Sequence, residues 1–494
     1  MSSPRLINVS RAARLVGVSR GTLQKQIQDG EIASFEGKVD LDALSQAYPQ
    51  VELEDNQVLE KIEDIIEKAM HRARGDKLRK LLTPDLGTLA ARVASLSKEL
   101  SRIKKQNNML IELVGKTRVA LTDLAAKPDN GDALRKLGSN LEQALLQPVV
   151  DAESDQLAIR DTILRIMAAQ VHLIPSGHDF FVEGNTTILE AGLGAGFAMD
   201  YGCSNGNCGK CKAKLISGEV KKIRQHDYVI PEAEKNQGYI LSCSNTAISD
   251  IVLEAKEADS VNEIPLQKIS ARVKKIDKVN NQLAVLNLRT PRTNRLRFFA
   301  GQTATLSGIG IDPAEYHIAS CPCDDMNLQF HIYRDASIPF AEHVFHGIQA
   351  SESITVEGPH GNFILDDTIQ RPILFLAFDT GFAPIKSLIE HAMTLDANEF
   401  QHLYWLYQTG DKPYLHNQAR AWSDAFDNFR YSPIKYETTN ADGIRAGLQH
   451  LTADYPELDG FDIYACGPSP AIEQVTDFMR AQGVPENQLL LELL

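Results

Sequence analysis

The sequence predicts a multidomain protein in which α+β and antiparallel β domains precede a doubly wound parallel α/β domain. Three observations carry this prediction. Cysteines at C-x4-C-x2-C spacing lie in one loop from Cys203 to Cys211. Apolar residues repeat at heptad spacing between Leu89 and Val114. From residue 372 onwards, long apolar strands alternate with helical segments, which is typical of a parallel sheet covered by helices.

The length of 494 residues suits about three or four domains. We divide the chain where its pattern changes. The regions are a helix-turn-helix-like region (1–50), a helical and coiled-coil dimerisation region (56–146), a linker (147–167), a β-grasp domain around the cysteine loop (168–258), an antiparallel β-barrel (265–366) and a doubly wound α/β domain (370–494).

The composition is that of an acidic chain with few cysteines. A net charge of −14 argues against a general polyanion-binding protein. No apolar run reaches the length of about 18 residues that a membrane span needs, and the segment after Met1 has no apolar signal region. Seven cysteines, four of them in one motif, suit a reducing compartment. We therefore expect a cytoplasmic protein.

Residues 1–50 indicate short helices joined by a turn. Ser10 and Ser19 are placed as N-caps, Gly17 makes the turn, and a short wing follows at 33–39. This pattern resembles the winged helix-turn-helix of the excisionase and mercury-regulator type. The resemblance implies that five side chains of the second helix face a DNA major groove, namely Arg20, Thr22, Gln24, Lys25 and Gln28. Six basic and five acidic side chains leave the region nearly neutral, so a protein-docking role stays open beside DNA binding.

A charged helical stretch at 56–80 is followed by an uninterrupted heptad pattern. One core position holds Val93, Leu100, Asn107 and Val114, and the other holds Leu89, Leu96, Ile103 and Leu110. This spacing predicts a coiled-coil seam. A single core asparagine defines the register at some cost in stability, most often in a parallel dimer. We expect a homodimer through this helix, with a surface helix in a local bundle as the alternative.

The cysteine loop carries the most specific chemical signal in the chain. Cys203, Cys208 and Cys211 are followed by Cys243 after 31 intervening residues. Four thiolates at this spacing are the ligands of a plant-type [2Fe–2S] cluster. A structural zinc site usually takes two short-spaced pairs, which the lone fourth cysteine does not provide. A disulfide framework would require an oxidising compartment. We expect an iron–sulfur centre.

The sequence around the loop supports this expectation. Two short strands are predicted within 170–183, a helix is predicted to begin at Thr187, and a strand follows at 248–253. The segments that match a known family are Tyr201-Gly202-Cys203, Gly206, Cys208-Gly209-Lys210-Cys211 and Leu241-Ser242-Cys243. Through them, residues 168–258 resemble a bacterial 2Fe-2S ferredoxin domain.

Residues 268–364 alternate apolar and polar positions in short runs, which predicts a six-stranded antiparallel barrel. Here and in the following α/β region, the matching segments are Tyr316-His-Ile-Ala-Ser320, Gly358-Pro-His-Gly-Asn-Phe363, Thr380-Gly381-Phe-Ala-Pro384 and Ala465-Cys466-Gly467-Pro468. The pair of domains resembles the ferredoxin–NADP reductase superfamily. The chain from 168 to 494 resembles an iron–sulfur flavoprotein reductase of the kind that serves Rieske oxygenases or dideoxysugar synthesis.

This resemblance implies cofactors and site residues. A flavin, FAD or FMN, would be held by Tyr316, Ser320, Gly358, Pro359 and Gly361. NAD(P)H would be held by Thr380, Gly381, Pro384, Gly467 and Pro468. Cys466 would be the catalytic residue beside the nicotinamide. The alternative is that Tyr316 is a barrel core residue and Cys466 a small buried apolar residue.

Two motifs depart from the family pattern. Ala314 replaces an arginine that would neutralise a flavin phosphate, and Phe340-Ala341 replaces a phosphate-contacting serine. Phe378 and Asp379 replace a glycine pair that lets the backbone approach a pyrophosphate. We therefore expect flavin and nucleotide to bind weakly or not at all. Cys321-Pro-Cys323 would flank the flavin and either be redox-active or simply small and buried.

Two functions of different classes follow. The first is an electron-transfer oxidoreductase that passes electrons from NAD(P)H through flavin and a [2Fe–2S] cluster to a protein acceptor. The second is a redox-sensing dimeric regulator whose reductase domains have lost full cofactor binding and whose N-terminal region binds DNA or a partner protein. The complete set of four cysteines and the family order of the motifs favour the oxidoreductase.

Overall fold

The computed structural model describes residues 6–28, 31–32, 34–35, 38–48, 86–125, 161, 164–224, 229–366, 371–395, 400–408, 412–436 and 441–494. The charged stretch at 56–80, the predicted helical segment beyond residue 125 and most of the predicted linker at 147–167 lie outside the described residues.

Short helices and a small sheet form the N-terminal region. Its elements are β1 (Leu6–Asn8), α1 (Val9–Val16), α2 (Arg20–Gln28), β2 (Ser34–Phe35), β3 (Lys38–Asp40) and α3 (Leu41–Ala47), and the sheet order is β1-β3-β2. Ser19 caps α2 as predicted, because its hydroxyl accepts the Thr22 amide at 3.0 Å. The prediction for Ser10 was wrong: β1 runs directly into α1, so Ser10 lies inside the helix.

A 40-residue helix, α4 (Leu86–Ala125), carries the predicted heptads. Its first turns lie on the following domain through Arg92, which is fully buried. The Arg92 guanidinium donates to five backbone carbonyls at 2.5–3.4 Å, those of Ile166, Met167, Val182, Gly184 and Ala247. The large apolar side chains farther along the helix are about half exposed, including Val93, Leu100, Ile103 and Leu110.

The domain that holds the cysteine loop is built on a five-stranded sheet of order β5-β4-β10-β6-β8. Its elements are β4 (Ala168–Ile174), β5 (Asp179–Glu183), α5 (Ile188–Gly194), β6 (Lys212–Ser217), β7 (Val220–Lys222), α6 (Glu232–Asn236), β8 (Tyr239–Leu241), β9 (Asn245–Ala247) and β10 (Ile251–Glu254). The helix predicted to begin at Thr187 is α5, and Thr187 is its N-cap, accepting the Glu190 amide at 3.0 Å. One face of the sheet and α5 bury a shared apolar core, and the cysteine loop lies between α5 and β6.

A six-stranded antiparallel sheet of order β14-β13-β16-β11-β12-β15 follows. Its elements are β11 (Gln267–Lys278), β12 (Leu283–Arg289), β13 (Thr303–Ser307), β14 (Ala314–His317), β15 (Asn327–Tyr333), α7 (Pro339–His346) and β16 (Ser353–His360). A bridge between Ile318 and Phe330 joins the two edges, so the sheet closes into the predicted barrel. Its core is apolar and includes Phe340 and Ala341 from α7.

The C-terminal region is a parallel sheet of order β19-β18-β17-β20-β21 with helices against it. Its elements are β17 (Ile373–Phe378), α8 (Phe382–Leu395), β18 (Gln401–Tyr407), α9 (His416–Ala425), β19 (Phe429–Lys435), α10 (Ala441–Asp454), β20 (Asp462–Gly467), α11 (Ser469–Ala481) and β21 (Leu489–Leu493). The strand order reverses between β17 and β20, which places a crevice at the carboxyl ends of these two strands. In the described parts of the chain, no helix combines the length and apolar character of a membrane span.

Candidate functional site

Left-handed backbone lets the cysteine loop fold tightly around its own sulfur atoms. Ser204, Gly206 and Gly209 have φ values of 51°, 88° and 77°, a region that glycine adopts freely. The amides of Asn207 and Cys208 both point at the Cys203 sulfur at 3.3 Å. Amides aimed inward stabilise negative charge on thiolates and sulfide.

The four cysteine side chains fall into two pairs. Cys203 contacts Cys208, and Cys211 contacts Cys243. Among the described residues, no three His, Cys, Asp or Glu side chains converge on a point where they could hold one metal ion. Two pairs of thiols suit two irons better than one tetrahedral zinc, which needs all four ligands around a single centre.

Hydrogen bonds and a nearby cation favour thiolates at Cys203 and Cys243. The hydrogen bond between Cys211 and Cys243 lowers the pKa of the Cys243 thiol to about 6 and raises the pKa of the Cys211 thiol. Burial raises the pKa of Cys203, but backbone amides of the loop outweigh it and lower that pKa. Arg224 donates to the carbonyls of Ser204 and Cys243 at 2.6 and 3.1 Å, so it ties the loop to the fourth cysteine.

One buried polar atom in the loop supports a bound group. The Ser204 hydroxyl is buried and has no hydrogen-bond partner within the described chain. A buried hydroxyl without a partner is costly, and cluster or cysteine sulfur would satisfy it. The donor set, the inward amides and this hydroxyl therefore fit a [2Fe–2S] cluster.

The loop has an exposed side and a covered side. Cys208 and Lys210 are exposed, whereas Cys211 and Cys243 retain 4% and 1% of their surface. Tyr201, two residues before Cys203, is buried and donates its hydroxyl to Asp325 of the barrel. The core of their own domain covers Cys211 and Cys243, Tyr201 holds the start of the loop on the barrel, and the edge at Cys208 and Lys210 is exposed.

A polar cluster joins the loop to the barrel. Arg295 donates to Asp325 at 3.0 Å, and Arg297 pairs with Asp200 while its guanidinium lies 5.6 Å from the Tyr201 ring centre. Burial and the Asp325 charge raise the pKa of Tyr201 well above its usual value, so the phenol keeps the proton that it donates. Sequence reasoning missed this cluster, apart from Tyr201 as a motif residue.

The predicted flavin residues are divided between two places. Tyr316 lies half-buried on β14 with its ring 5.8 Å from Phe340, and its buried hydroxyl has no partner within the described chain. Gly358, Pro359 and Gly361 lie at the end of β16, which runs beside β13. Ser320 lies elsewhere: its hydroxyl accepts the Gln329 amide and its carbonyl accepts the Ser387 hydroxyl, so it joins the barrel to α8.

The positions at which a flavin phosphate would be bound, Ala314 and Phe340-Ala341, carry neither a cation nor a hydroxyl. Ala314 offers no charge, Glu315 is exposed beside it, and Phe340 and Ala341 are fully buried in the barrel core. The orphaned Tyr316 hydroxyl fits a flavin ring, but these side chains do not fit a flavin phosphate.

The predicted nucleotide residues meet at the crevice between β17 and β20. Thr380 and Gly381 follow β17, Pro384 lies in the first turn of α8, and Gly467 and Pro468 follow Cys466 at the end of β20. The packing here is tight, because a Cβ on Gly381 would lie 2.1 Å from the Cys466 carbonyl oxygen. Cys466 is fully buried, and burial raises the pKa of its thiol well above its usual value.

Asp379 occupies the position expected to face a pyrophosphate. Its φ is +49°, the conformation that the family's glycine would adopt freely. Its carboxylate accepts the Tyr436 hydroxyl at 2.8 Å and the Gln408 amide at 3.0 Å. Burial raises the pKa of this carboxyl group. The crevice therefore has the backbone of a nucleotide site with a carboxylate where the phosphates would approach.

A pair of side chains at this crevice was not predicted from the sequence. The His317 ring nitrogen Nε2 lies 3.1 Å from Glu492, which pairs with Cys466 in the register of β21 and β20. His317 directly follows Tyr316. The His317–Glu492 contact therefore places the strand that carries Tyr316 next to the end of β20 that carries Cys466.

Comparison with known proteins agrees with this arrangement. Residues 171–247 match the 2Fe-2S iron-sulfur cluster binding domain, and residues 375–477 match the oxidoreductase NAD-binding domain. The CDP-6-deoxy-L-threo-D-glycero-4-hexulose-3-dehydrase reductase of Yersinia pseudotuberculosis is 31% identical over 324 residues, covering 65% of this chain and 97% of that protein. The toluate 1,2-dioxygenase electron transfer component of Pseudomonas putida is 27% identical over 309 residues, covering 62% and 91%. A solved Amycolatopsis cytochrome P450 reductase aligns with 21% identity and a TM-score of 0.41, covering 66% of this chain and 98% of that one.

Proposed function

This chain belongs to the iron–sulfur electron-transfer reductases of the ferredoxin–NADP reductase superfamily, and on that premise we propose that it carries electrons from NAD(P)H to a protein acceptor. The observation that carries the proposal is that the three cysteines of the loop and Cys243 form two pairs, with Cys208 exposed and the start of the loop held on the barrel through Tyr201. A flavin accepts the two electrons of a hydride and releases them singly, and a [2Fe–2S] cluster carries one electron at a time.

We assign Cys203, Cys208, Cys211 and Cys243 as the cluster ligands. Asn207 and Cys208 amides, together with Arg224, would offset the negative charge that four thiolates bring. The exposed edge at Cys208 and Lys210 is the face that we assign to the protein acceptor, because nothing in the described chain covers it.

The flavin and nucleotide would be held by their reactive rings more than by their phosphates. Tyr316, Gly358, Pro359 and Gly361 would border the flavin ring. Thr380, Gly381, Pro384, Gly467 and Pro468 would border the nucleotide, with Cys466 beside the nicotinamide. The His317–Glu492 contact joins the barrel to the strand that pairs with Cys466. Ala314 and Asp379 remove the usual phosphate contacts, so we expect modest affinity for both cofactors.

We also propose that the chain is a homodimer through α4. The seam residues Val93, Leu100, Ile103 and Leu110 expose about half of their surface in a single chain. A second copy of the chain carries the same heptad positions, so the two rows can pack against each other. Exposed apolar side chains in one continuous row mark an interaction face.

The N-terminal region is better suited to docking than to DNA. Arg11 pairs with Asp161 and Asp250, and Arg14 pairs with Glu183 and lies 4.5 Å from the Phe181 ring centre. These two arginines therefore hold the region on the cysteine-loop domain and are not available to phosphates. Selection from random DNA duplexes with the full-length protein should enrich no motif; an enriched palindrome would favour the regulator instead.

The proposed electron path is tested with two acceptors. With NAD(P)H and added flavin, ferricyanide takes electrons directly from flavin, whereas cytochrome c depends on the cluster. We expect Cys211→Ser to lose at least about 90% of cytochrome c reduction and to keep ferricyanide reduction, because only the cluster is removed. If Cys211→Ser lost both reductase activities to the same extent, or lost neither, the proposed path would be contradicted.

A further inference from the structure

The turn between β14 and β15 contains a disulfide between near neighbours. Cys321 and Cys323 are joined across a single helical turn, Pro322–Asp324. A disulfide stabilises a fold mainly by restricting the unfolded chain, and this effect grows with the length of the closed loop. Two positions of separation give almost the shortest loop possible, so stabilisation of the fold does not account for this bond.

This turn lies where three parts of the molecule meet. It belongs to the barrel and packs against both α5 of the cysteine-loop domain and α8 of the parallel-sheet domain. The Thr394 hydroxyl of α8 lies 3.9 Å from the Cys321 sulfur and 3.7 Å from the Cys323 sulfur. Cys321 is buried and Cys323 is half-buried, so Cys323 is the more exposed of the two.

The residue that holds the cysteine loop comes two positions after this disulfide. Asp325 accepts the Tyr201 hydroxyl and the Arg295 guanidinium, and only 5% of its surface is exposed. Its carbonyl accepts the Thr290 hydroxyl at 2.9 Å. Tyr201 precedes Cys203 by two residues, so Asp325 links the turn to the start of the cysteine loop.

We propose that Cys321 and Cys323 form a reversible thiol–disulfide site whose oxidation state sets how firmly the cysteine loop is held on the barrel. With the disulfide closed, the turn is fixed and Asp325 holds Tyr201 and Arg295. With the disulfide open, the turn is free to relax and the loop is held less tightly. The site requires neither nucleotide nor flavin, so it stands or falls separately from the proposed electron path.

The reductant for this site is a dithiol, either a small molecule or the active-site pair of a protein. One reductant thiolate attacks the sulfur of the more exposed Cys323, the Cys321–Cys323 bond breaks, and Cys321 leaves as a thiolate that takes up a proton. The second reductant thiol then attacks the mixed disulfide and releases Cys323 as a thiol. Two electrons and two protons have passed to the protein, and the reductant leaves as a disulfide.

Amide hydrogen exchange of the cluster-loaded, full-length protein tests the proposal, with dithiothreitol or its oxidised form as the probe. Mass spectrometry of the peptide that contains both cysteines reports their oxidation state. On reduction, with cluster absorbance unchanged, we expect exchange at residues 200–206 to rise about threefold or more, because local opening becomes easier. An unchanged exchange rate across a verified change of oxidation state would overturn the proposal, as would a peptide that never forms the disulfide.

Three variants complete the test. The double variant Cys321→Ser, Cys323→Ser should show the faster exchange under both conditions. Asp325→Asn should also show the faster exchange under both conditions, although its disulfide still forms. This variant replaces the double variant in the test if the double variant does not fold. Cys466→Ser removes a buried thiol away from the turn and should respond like the unmodified protein. A double variant that still responds to dithiothreitol, or an Asp325→Asn loop that exchanges slowly, would refute the inferred link.

Discussion

Two buried cysteines differ in their surroundings. Cys211, the last residue of the cysteine loop, contacts Cys243, whereas Cys466 lies at the end of β20 with Glu492 as its charged neighbour. We predict that Cys211→Ser loses the cluster and that the control Cys466→Ser keeps it. Iron and acid-labile sulfide analysis, with the visible absorbance, measures this. Zinc without labile sulfide in the unmodified protein would contradict the ligand assignment.

The missing phosphate ligand at Ala314 gives a second prediction. An arginine at this position would add a charge-assisted hydrogen bond worth about 1.5–3 kcal/mol, or roughly one to two decades in affinity. Ala314→Arg should therefore bind FAD or FMN about 10 to 100 times more tightly by fluorescence titration.

Ile309→Arg is the matched control for that titration. Ile309 is 94% exposed in the connection between β13 and β14, so the variant adds the same charge away from the site. Equal gains in both variants would show a general charge effect, and no gain at Ala314→Arg would show that other residues already bind the phosphate.

The sequence predicted site residues that share a local pattern and missed those that do not. Three of the four cysteines lie in one loop, so their spacing alone indicated the chemistry. The Tyr201–Asp325 contact joins residues 124 positions apart, and the His317–Glu492 contact joins residues 175 positions apart. Such pairs depend on how the domains pack, which spacing along the chain does not encode.

At the scale of elements, α4 combines two roles on adjacent faces. The heptad prediction rested on the apolar positions of this helix, and most of these side chains are exposed in the structure. The pattern gave no sign that Arg92 between them is buried, because an arginine in a helix is ordinarily solvated. It is buried here because five carbonyls accept hydrogen bonds from its two terminal nitrogens, Nη1 and Nη2.

Removal of the Arg92 guanidinium should destabilise the cysteine-loop domain. Arg92→Met keeps the side-chain stem but leaves buried carbonyls without a donor, at a cost of about 3 kcal/mol. Denaturant unfolding followed by cluster absorbance measures the change. Arg102→Met is the control, since Arg102 is exposed on the same helix and should change the free energy of unfolding by less than about 0.5 kcal/mol. Equal effects would show that the buried contacts contribute little.

The exposed seam predicts the oligomeric state. Light scattering should give twice the chain mass of 54.6 kDa. Leu100→Glu with Leu110→Glu should give a monomer that keeps its cluster, because both side chains are exposed within one chain and like charges would face each other across the seam. Lys104→Glu, off the seam, should stay dimeric. A monomeric unmodified protein would refute the coiled-coil pairing.

At the scale of the whole molecule, the order of parts matches a route for electrons. The crevice between β17 and β20 meets the barrel at His317 and Glu492, and the barrel meets the cysteine loop at Asp325 and Tyr201. The barrel and the parallel sheet follow from strand periodicity and from the motif order in the sequence. Their contacts with each other, and the attachment of α1 through Arg11, depend on single long-range side-chain pairs and needed the structure.

Anaerobic electron paramagnetic resonance is the most direct test of the central claim that electrons pass from NAD(P)H to the cluster. The protein with its cluster and added flavin is mixed with NADH or NADPH, and dithionite defines full reduction. We predict that one of the nucleotides produces the signal of a reduced [2Fe–2S] centre, up to about one spin per chain, and that Cys211→Ser produces none. A cluster that dithionite reduces but that neither nucleotide reduces, with flavin verified as bound, would contradict the account.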